Sequence, residues 1–115
     1  MAAHPITASQ AAQTLREIAN GTRDPRAAYA YPAEAAATID AIRECADLLT
    51  EITLNLHSYV RAHLHTETWR STDRNPPRTW TENAVNGTNN ARHHSRQLSV
   101  HLDLAANALR NLAPK

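Results

Sequence analysis

Seven histidines are the residues of this 115-residue chain best suited to metal binding or proton transfer. A metal site on helices needs ligands three or four residues apart, where two side chains share a face. No two histidines have that spacing, and neither Glu-x-x-His nor His-Glu-x-x-His occurs. His63 and Glu67 form the one usable pair, with no third ligand evident opposite them. We therefore predict no metal and no cofactor.

The nucleophile candidates are equally sparse. The single cysteine, Cys45, lies between apolar residues and away from the histidines, so we expect a buried, unreactive thiol. Glycine occurs only at Gly21 and Gly87, which leaves no glycine-rich loop to hold a phosphate. Gly-x-Ser-x-Gly is absent as well. We predict no catalytic residues and a protein that is not an enzyme.

The strongest candidate for a binding site is the stretch WRSTDRNPPRTW, residues 69–80. It places the only two tryptophans of the chain at its ends and three arginines between them. Tryptophan and arginine are favoured at the centres of protein interfaces, so the stretch favours contact with a protein partner, whose identity the sequence does not give. The predicted partner-binding residues are Trp69, Arg70, Arg74, Arg78 and Trp80.

Two other interpretations of this stretch stay open. Arginine with aromatic rings also binds phosphates and stacks on bases, so a nucleic-acid-associated regulator is the alternative function. Asp73 and Glu82 lie among the arginines and count against it. Alternatively, the tryptophans face each other and simply close a turn. We expect Trp80 to be buried against the preceding helix and the arginines to be exposed.

The charge distribution and the apolar stretches of the sequence bear on where the protein is located. Residues 1–54 hold four arginines and seven acids, a net charge of −3, while residues 55–115 hold eight basic residues and four acids, a net charge of +4. No apolar stretch approaches membrane-spanning length, and the N-terminal residues do not resemble a signal peptide. We expect a cytoplasmic protein without membrane contacts.

Three helices are predicted to position these residues. Abundant alanine and scarce glycine favour helices over strands. A capping box at Thr7 begins the first helix, over about residues 7–20. Pro32 suits the first position of a long second helix that ends near Trp69. A second capping box at Thr79 begins a third helix that runs to about residue 112, with a possible break at Asn86-Gly87.

The long helices carry apolar residues at heptad spacing, which predicts that they pack as an antiparallel hairpin. The expected contact positions on the second helix are Ile39, Ile42, Ala46, Leu49, Ile52 or Thr53, Leu56, Val60 and His63 or Leu64. Those on the third helix are Ala91, Ser95, Leu98, Leu102, Ala105, Leu109 and Leu112. Leu56 should then lie near Ser95, Ile42 near Leu109, and Trp69 opposite Trp80.

Four large apolar residues fall outside these positions: Leu48, Leu54, Val100 and Leu104. The short first helix covers at most some of them, so we expect a second copy to cover the rest. The sequence thus predicts an all-α, single-domain chain, dominated by a long helical hairpin and assembled into a helical bundle. The preferred function is a small adaptor, regulator or inhibitor that acts through protein contacts as a homo-oligomer.

Overall fold

The computed structural model describes residues 4–64, 69–113 and 115. It contains helices α1 (His4–Gly21), α2 (Pro32–Ala62) and α3 (Pro77–Arg110), and the described residues include no strand. Helices α2 and α3 pack against each other in an elongated molecule of 64 × 25 × 24 Å. Asp40 contacts Arg110, whereas His57 contacts Thr88, so the two helices run antiparallel. The all-α prediction with a dominant hairpin is confirmed.

Proline sets the beginnings of both long helices. Helix α2 begins at Pro32 as predicted, after Tyr31 in an extended conformation. Helix α3 begins at Pro77, two residues before the predicted start. The capping box at Thr79 does not form, because the fixed φ of Pro77 already starts the helix and places Thr79 inside its first turn. Helix α1 begins at His4, so its predicted cap, Thr7, also lies within the helix.

The end of α2 differs most from the prediction. The helix stops at Ala62 rather than near Trp69, and the His63 amide donates to the Val60 carbonyl in a tightened last turn. The Trp69 ring stacks on that of His63, and two residues six apart lie on different faces of a continuous helix, so this contact is incompatible with a helix that runs on to Trp69. Helix α3 in contrast is continuous through Gly87, so the predicted break at Asn86-Gly87 is absent.

The contact between α2 and α3 follows two heptad series, which we call the seam. All its members are buried or half-buried and are spaced alternately three and four residues apart. On α2 and just past its end the seam consists of Ala36, Ile39, Arg43, Ala46, Thr50, Thr53, His57, Val60 and Leu64. On α3 it consists of Thr81, Val85, Thr88, Arg92, Ser95, Ser99, Leu102, Ala106 and Leu109.

The predicted seam was half right. One of the two series on each helix is confirmed, at positions such as Ala46 and Leu102. The other series is wrong by one residue, since Leu49, Leu56 and Leu98 are about half exposed and their neighbours face the other helix instead. The physical reason is size: the seam has small side chains near its middle, which let the helices approach closely, and the large ones lie beside it.

Several hydroxyl groups in the seam hydrogen-bond within their own helices. The Thr50, Thr53 and Thr88 hydroxyls each donate to the carbonyl four residues earlier, at 2.7–3.0 Å. Serine does the same at Ser95. Each threonine hydroxyl is thereby satisfied, and the methyl group is left to pack across the seam.

Among the described residues, the ion pairs between α2 and α3 lie on one side of the seam, which we call the ion-paired side. Arg43 pairs with Asp103 at 2.9 Å, and Arg110 pairs with Asp40. On the same side the Ser99 hydroxyl donates to Asp47 at 2.6 Å. These pairs are partly exposed and so contribute modestly to stability, but they fix the rotation of each helix about its axis.

The chain buries very little apolar surface. Among the described residues the buried hydrophobic side chains are Ala36, Ala46 and Ala106, and none of the large ones is fully buried. Helix α1 has no buried residue and makes no close backbone approach to α2 or α3 within the described ranges. It was expected to cover some of the off-seam residues and does not.

Candidate partner-binding site

The predicted binding stretch forms one end of the hairpin, and we call its residues 69–80 the tip. Three aromatic rings join the tip to α2. The Trp69 ring stacks on His63, with centroids 4.4 Å apart and planes 19° apart, and lies 5.7 Å from Tyr59. Tyr59 and His63 are themselves in contact at 5.0 Å, one helical turn apart. This aromatic cluster, which the sequence analysis missed, holds Trp69 half-buried.

Asp73 organises the rest of the tip. Its Oδ1 accepts hydrogen bonds from the Ser71 hydroxyl at 2.6 Å, the Asn75 amide at 2.9 Å and the Trp80 indole N–H at 2.9 Å. The Asn75 side chain donates to Oδ2. Because these donors favour the charged form, with Ser71 first and Trp80 next, they lower the pKa of Asp73 from 3.8 to about 2. An ionised carboxylate therefore lies at the centre of the tip.

Trp80 is not where the sequence placed it. Its ring is 47% exposed, and Thr81 takes the seam position beside it at 7% exposure. The expectation that Trp80 is buried against α2 is wrong, because the seam on α3 passes through Thr81 and Val85 and leaves Trp80 outside it. Asp73 accepts a hydrogen bond from the Trp80 indole N–H, and about half of the Trp80 side chain is open to solvent.

A cleft of about 340 Å³ separates the two tryptophans. Trp69 and Trp80 thus line one cavity, as their predicted opposition implied, but no ring contact between them occurs within the part of the chain described. The cleft is lined by Val60, Trp69, Arg70, Ser71, Thr72, Pro77, Trp80, Thr81 and Ala84. Its walls are largely aromatic and aliphatic, so it suits an apolar side chain.

The three tip arginines are exposed, as predicted. Arg78 pairs with Glu82 one turn along α3, at 2.8 Å. Arg70 and Arg74 make no ion pair with any residue that the structure describes, and Arg70 lines the cleft itself. An apolar cleft with the Arg70 cation on its wall matches a ligand that combines an apolar side chain with negative charge.

The four residues predicted to mediate self-association are all exposed: Leu48, Leu54, Val100 and Leu104. They do not form one patch. By their helical positions, Leu48 and Leu104 point away from the seam at opposite edges of the hairpin. Leu54 and Val100 lie on the ion-paired side. Their role in self-association stays a prediction.

A larger apolar surface lies on the flank opposite the ion-paired side, and we call it the apolar side. By helical position its α2 members are Ile42, Cys45, Leu49, Ile52, Leu56 and Tyr59. Its α3 members are Ala84, Gly87, Ala91, His94, Leu98, His101 and Ala105. Trp80 lies at the tip end of the same flank, so the apolar side continues into the cleft.

No arrangement for chemistry emerges from the other candidate residues. Within the described ranges, no group of three or more His, Cys, Asp or Glu side chains is placed to hold a metal ion. His63 lies in the aromatic cluster, and its predicted pair Glu67 is outside the described residues. Cys45 is half-buried rather than buried. None of the described helices is both long and apolar enough to cross a membrane.

Comparison with known proteins gives no match: no family model, no curated protein and no solved structure is significantly similar to this chain.

Proposed function

We propose that this chain is a small, non-enzymatic helical interaction protein, an adaptor, regulator or inhibitor, whose tip binds a protein partner. The observation that carries the proposal is the cleft between Trp69 and Trp80, with Arg70 on its wall. A tryptophan ring left half in solvent at a preformed cleft is typical of an interface anchor. The partner segment that fits is acidic and inserts one aromatic or aliphatic side chain.

The alternative, a nucleic-acid-associated regulator, has less support. Exposed arginines beside an exposed aromatic ring could also bind phosphates and stack on bases. However, the Asp73 carboxylate has a lowered pKa of about 2 and stays ionised at the centre of the tip. Glu82 already neutralises Arg78. The Asp73 and Glu82 carboxylates would both repel a phosphate backbone. A single carboxylate side chain of a protein partner can instead approach Arg70 from outside the cleft.

Affinity capture with quantitative mass spectrometry tests the proposal. The tip variant carries Arg70→Ala, Arg74→Ala and Arg78→Ala. A matched control carries Arg16→Ala, Arg23→Ala and Arg26→Ala, which remove the same charge far from the tip. We expect the tip variant and Trp80→Ala to lose a partner that the control retains. Equal capture by both triple variants would contradict a binding role for the tip.

A salt titration separates the two functions. Binding of the purified chain to generic duplex DNA should be weak and should change little between variants if the partner is a protein. A steep fall of affinity with salt, reduced in the tip variant alone, would favour the nucleic-acid alternative.

A further inference from the structure

The chain as a whole, with the unpacked helix α1 included, leaves more surface in water than a folded chain of this size normally does. The accessible surface is 9156 Å². A compact monomer of 12.7 kDa exposes about 6,200 Å², so the excess is roughly 2,900 Å². Obligate homodimers bury about 2,000–5,000 Å² in total, counted over both partners. The excess on a single chain is therefore sufficient for such an interface.

Large and small residues on the apolar side stand at matching heights. The contacts Asp47–Ser99 and His57–Thr88 show which residues of α2 and α3 lie at the same distance from the tip, and we call such residues level with each other. On this scale Tyr59 is level with Gly87, Leu56 with Ala91, and Ile42 with Ala105. Three large side chains of α2 thus have a small residue of α3 at the same distance from the tip, whereas Leu49 is level with Leu98 and Ile52 with His94.

Gly87 supplies an independent observation. It lies inside α3, where glycine is disfavoured relative to alanine, and its backbone is ordinary helix. A Cβ added at Gly87 would meet no atom within 4 Å, so nothing in a single chain requires glycine there. A large side chain of another molecule that packs closely against α3 at this point would require glycine here.

We propose that the apolar side binds a second copy of this chain, so that α2 of each copy packs on α3 of the other in a four-helix bundle. The proposal rests on the proposed function, that the protein acts through protein contacts, and names one of those contacts. Pairing α2 with the other copy's α3 at equal heights requires a two-fold axis parallel to the helices. Both tips then lie at the same end of the bundle.

Light scattering with two leucine variants tests the surface. The parent should have twice the chain mass of 12.7 kDa at micromolar concentration. Gly87→Leu fills the space for Tyr59 of the other copy and should weaken dimerisation at least tenfold. Because leucine favours helix more than glycine does, this variant should keep its helix content by circular dichroism. Asn90→Leu, on the outer edge of α3, is the matched control and should remain a dimer.

A cross-link tests the register. Cys45 is the only cysteine, and His101 is level with it on the apolar side of α3. In the proposed bundle, His101→Cys faces Cys45 of the other copy and should form an intermolecular disulfide under mild oxidation. The product is a covalent dimer on a non-reducing gel. Val100→Cys, one residue away and off the apolar side, should give none.

Each outcome decides the proposal. A monomeric parent overturns it, as does a Gly87→Leu variant that dimerises like the parent. A dimer that cross-links through Val100→Cys but not through His101→Cys also overturns it, because the copies then meet elsewhere. These measurements use the purified chain alone. The dimer can therefore be disproved while capture of a partner by the tip succeeds, and capture can fail while the dimer is found.

Discussion

Asp73 is the residue on which the shape of the tip depends. One carboxylate oxygen accepts hydrogen bonds from Ser71, Asn75 and Trp80, and so connects the loop to the first turn of α3. The spacing Ser71-x-Asp73-x-Asn75 is typical of side chains that hydrogen-bond to their own loop backbone, and it was readable in the sequence. The indole contact was not, because it depends on where α3 begins.

Acid should release Trp80 from Asp73. The pKa of Asp73 is lowered from 3.8 to about 2, so the contact is fully formed above pH 3.8 and is lost as the pH falls through about 2. We expect Trp80 fluorescence in a Trp69→Phe background to change with a midpoint near pH 2. Adding Asp73→Asn should abolish this transition. A midpoint near 3.8 would show that the hydrogen bonds are not made.

The two tryptophans should differ in their contribution to stability. Trp69 is half-buried and contacts two rings, so Trp69→Ala should lower the free energy of unfolding by about 2 kcal/mol, less than for a fully buried aromatic residue. Trp80 is about half exposed and contacts little beyond its N–H, so Trp80→Ala should cost about 1 kcal/mol or less. Urea denaturation measures both, with Trp69→Phe as the conservative control. The reverse order would mean that Trp80 holds the tip together.

At the scale of the helices, the sequence predicted what depends on local rules and missed what depends on contacts. The number of helices, the start of α2 at Pro32 and one heptad series on each long helix were correct. The end of α2 was not, because the stack of Trp69 on His63 overrides local helix preference. The second heptad series failed because α2 carries apolar residues on two adjacent flanks. Which of the two flanks faces α3 depends on ion pairs such as Arg43–Asp103, whose two residues lie far apart in sequence.

A pair of leucines on α3 tests which flank is the seam. Leu102 is half-buried in the seam, whereas Leu104 is exposed on the outer edge. Leu102→Ala should lower the free energy of unfolding by about 2 kcal/mol, at the low end for a buried leucine. Leu104→Ala should change it by less than about 0.5 kcal/mol, as for other surface substitutions. Comparable losses at both positions, measured by urea denaturation, would contradict the observed rotation of α3.

For the whole molecule, the fully buried hydrophobic side chains among the described residues are three alanines. Folding must offset the conformational entropy of the chain mainly by burying apolar surface, and the large side chains of the apolar side remain largely outside the seam. The proposed dimer would place them inside a second core. It would also put two tips at one end, so that a partner with two acidic segments would bind through both at once, with a gain in avidity.

Thermal unfolding should then depend on protein concentration. When a dimer unfolds to two separate chains, a tenfold rise in concentration stabilises it by about 1.4 kcal/mol. With the usual unfolding entropy for two chains of 115 residues, the melting temperature should rise by about 3 °C per tenfold increase. Gly87→Leu should remove this dependence and lower the melting temperature at high concentration, whereas Asn90→Leu should keep it. A parent whose melting temperature is the same at 1 μM and 100 μM would mean that the apolar side is not covered by a second copy, and that the three buried alanines, the seam and the ion-paired side suffice for folding.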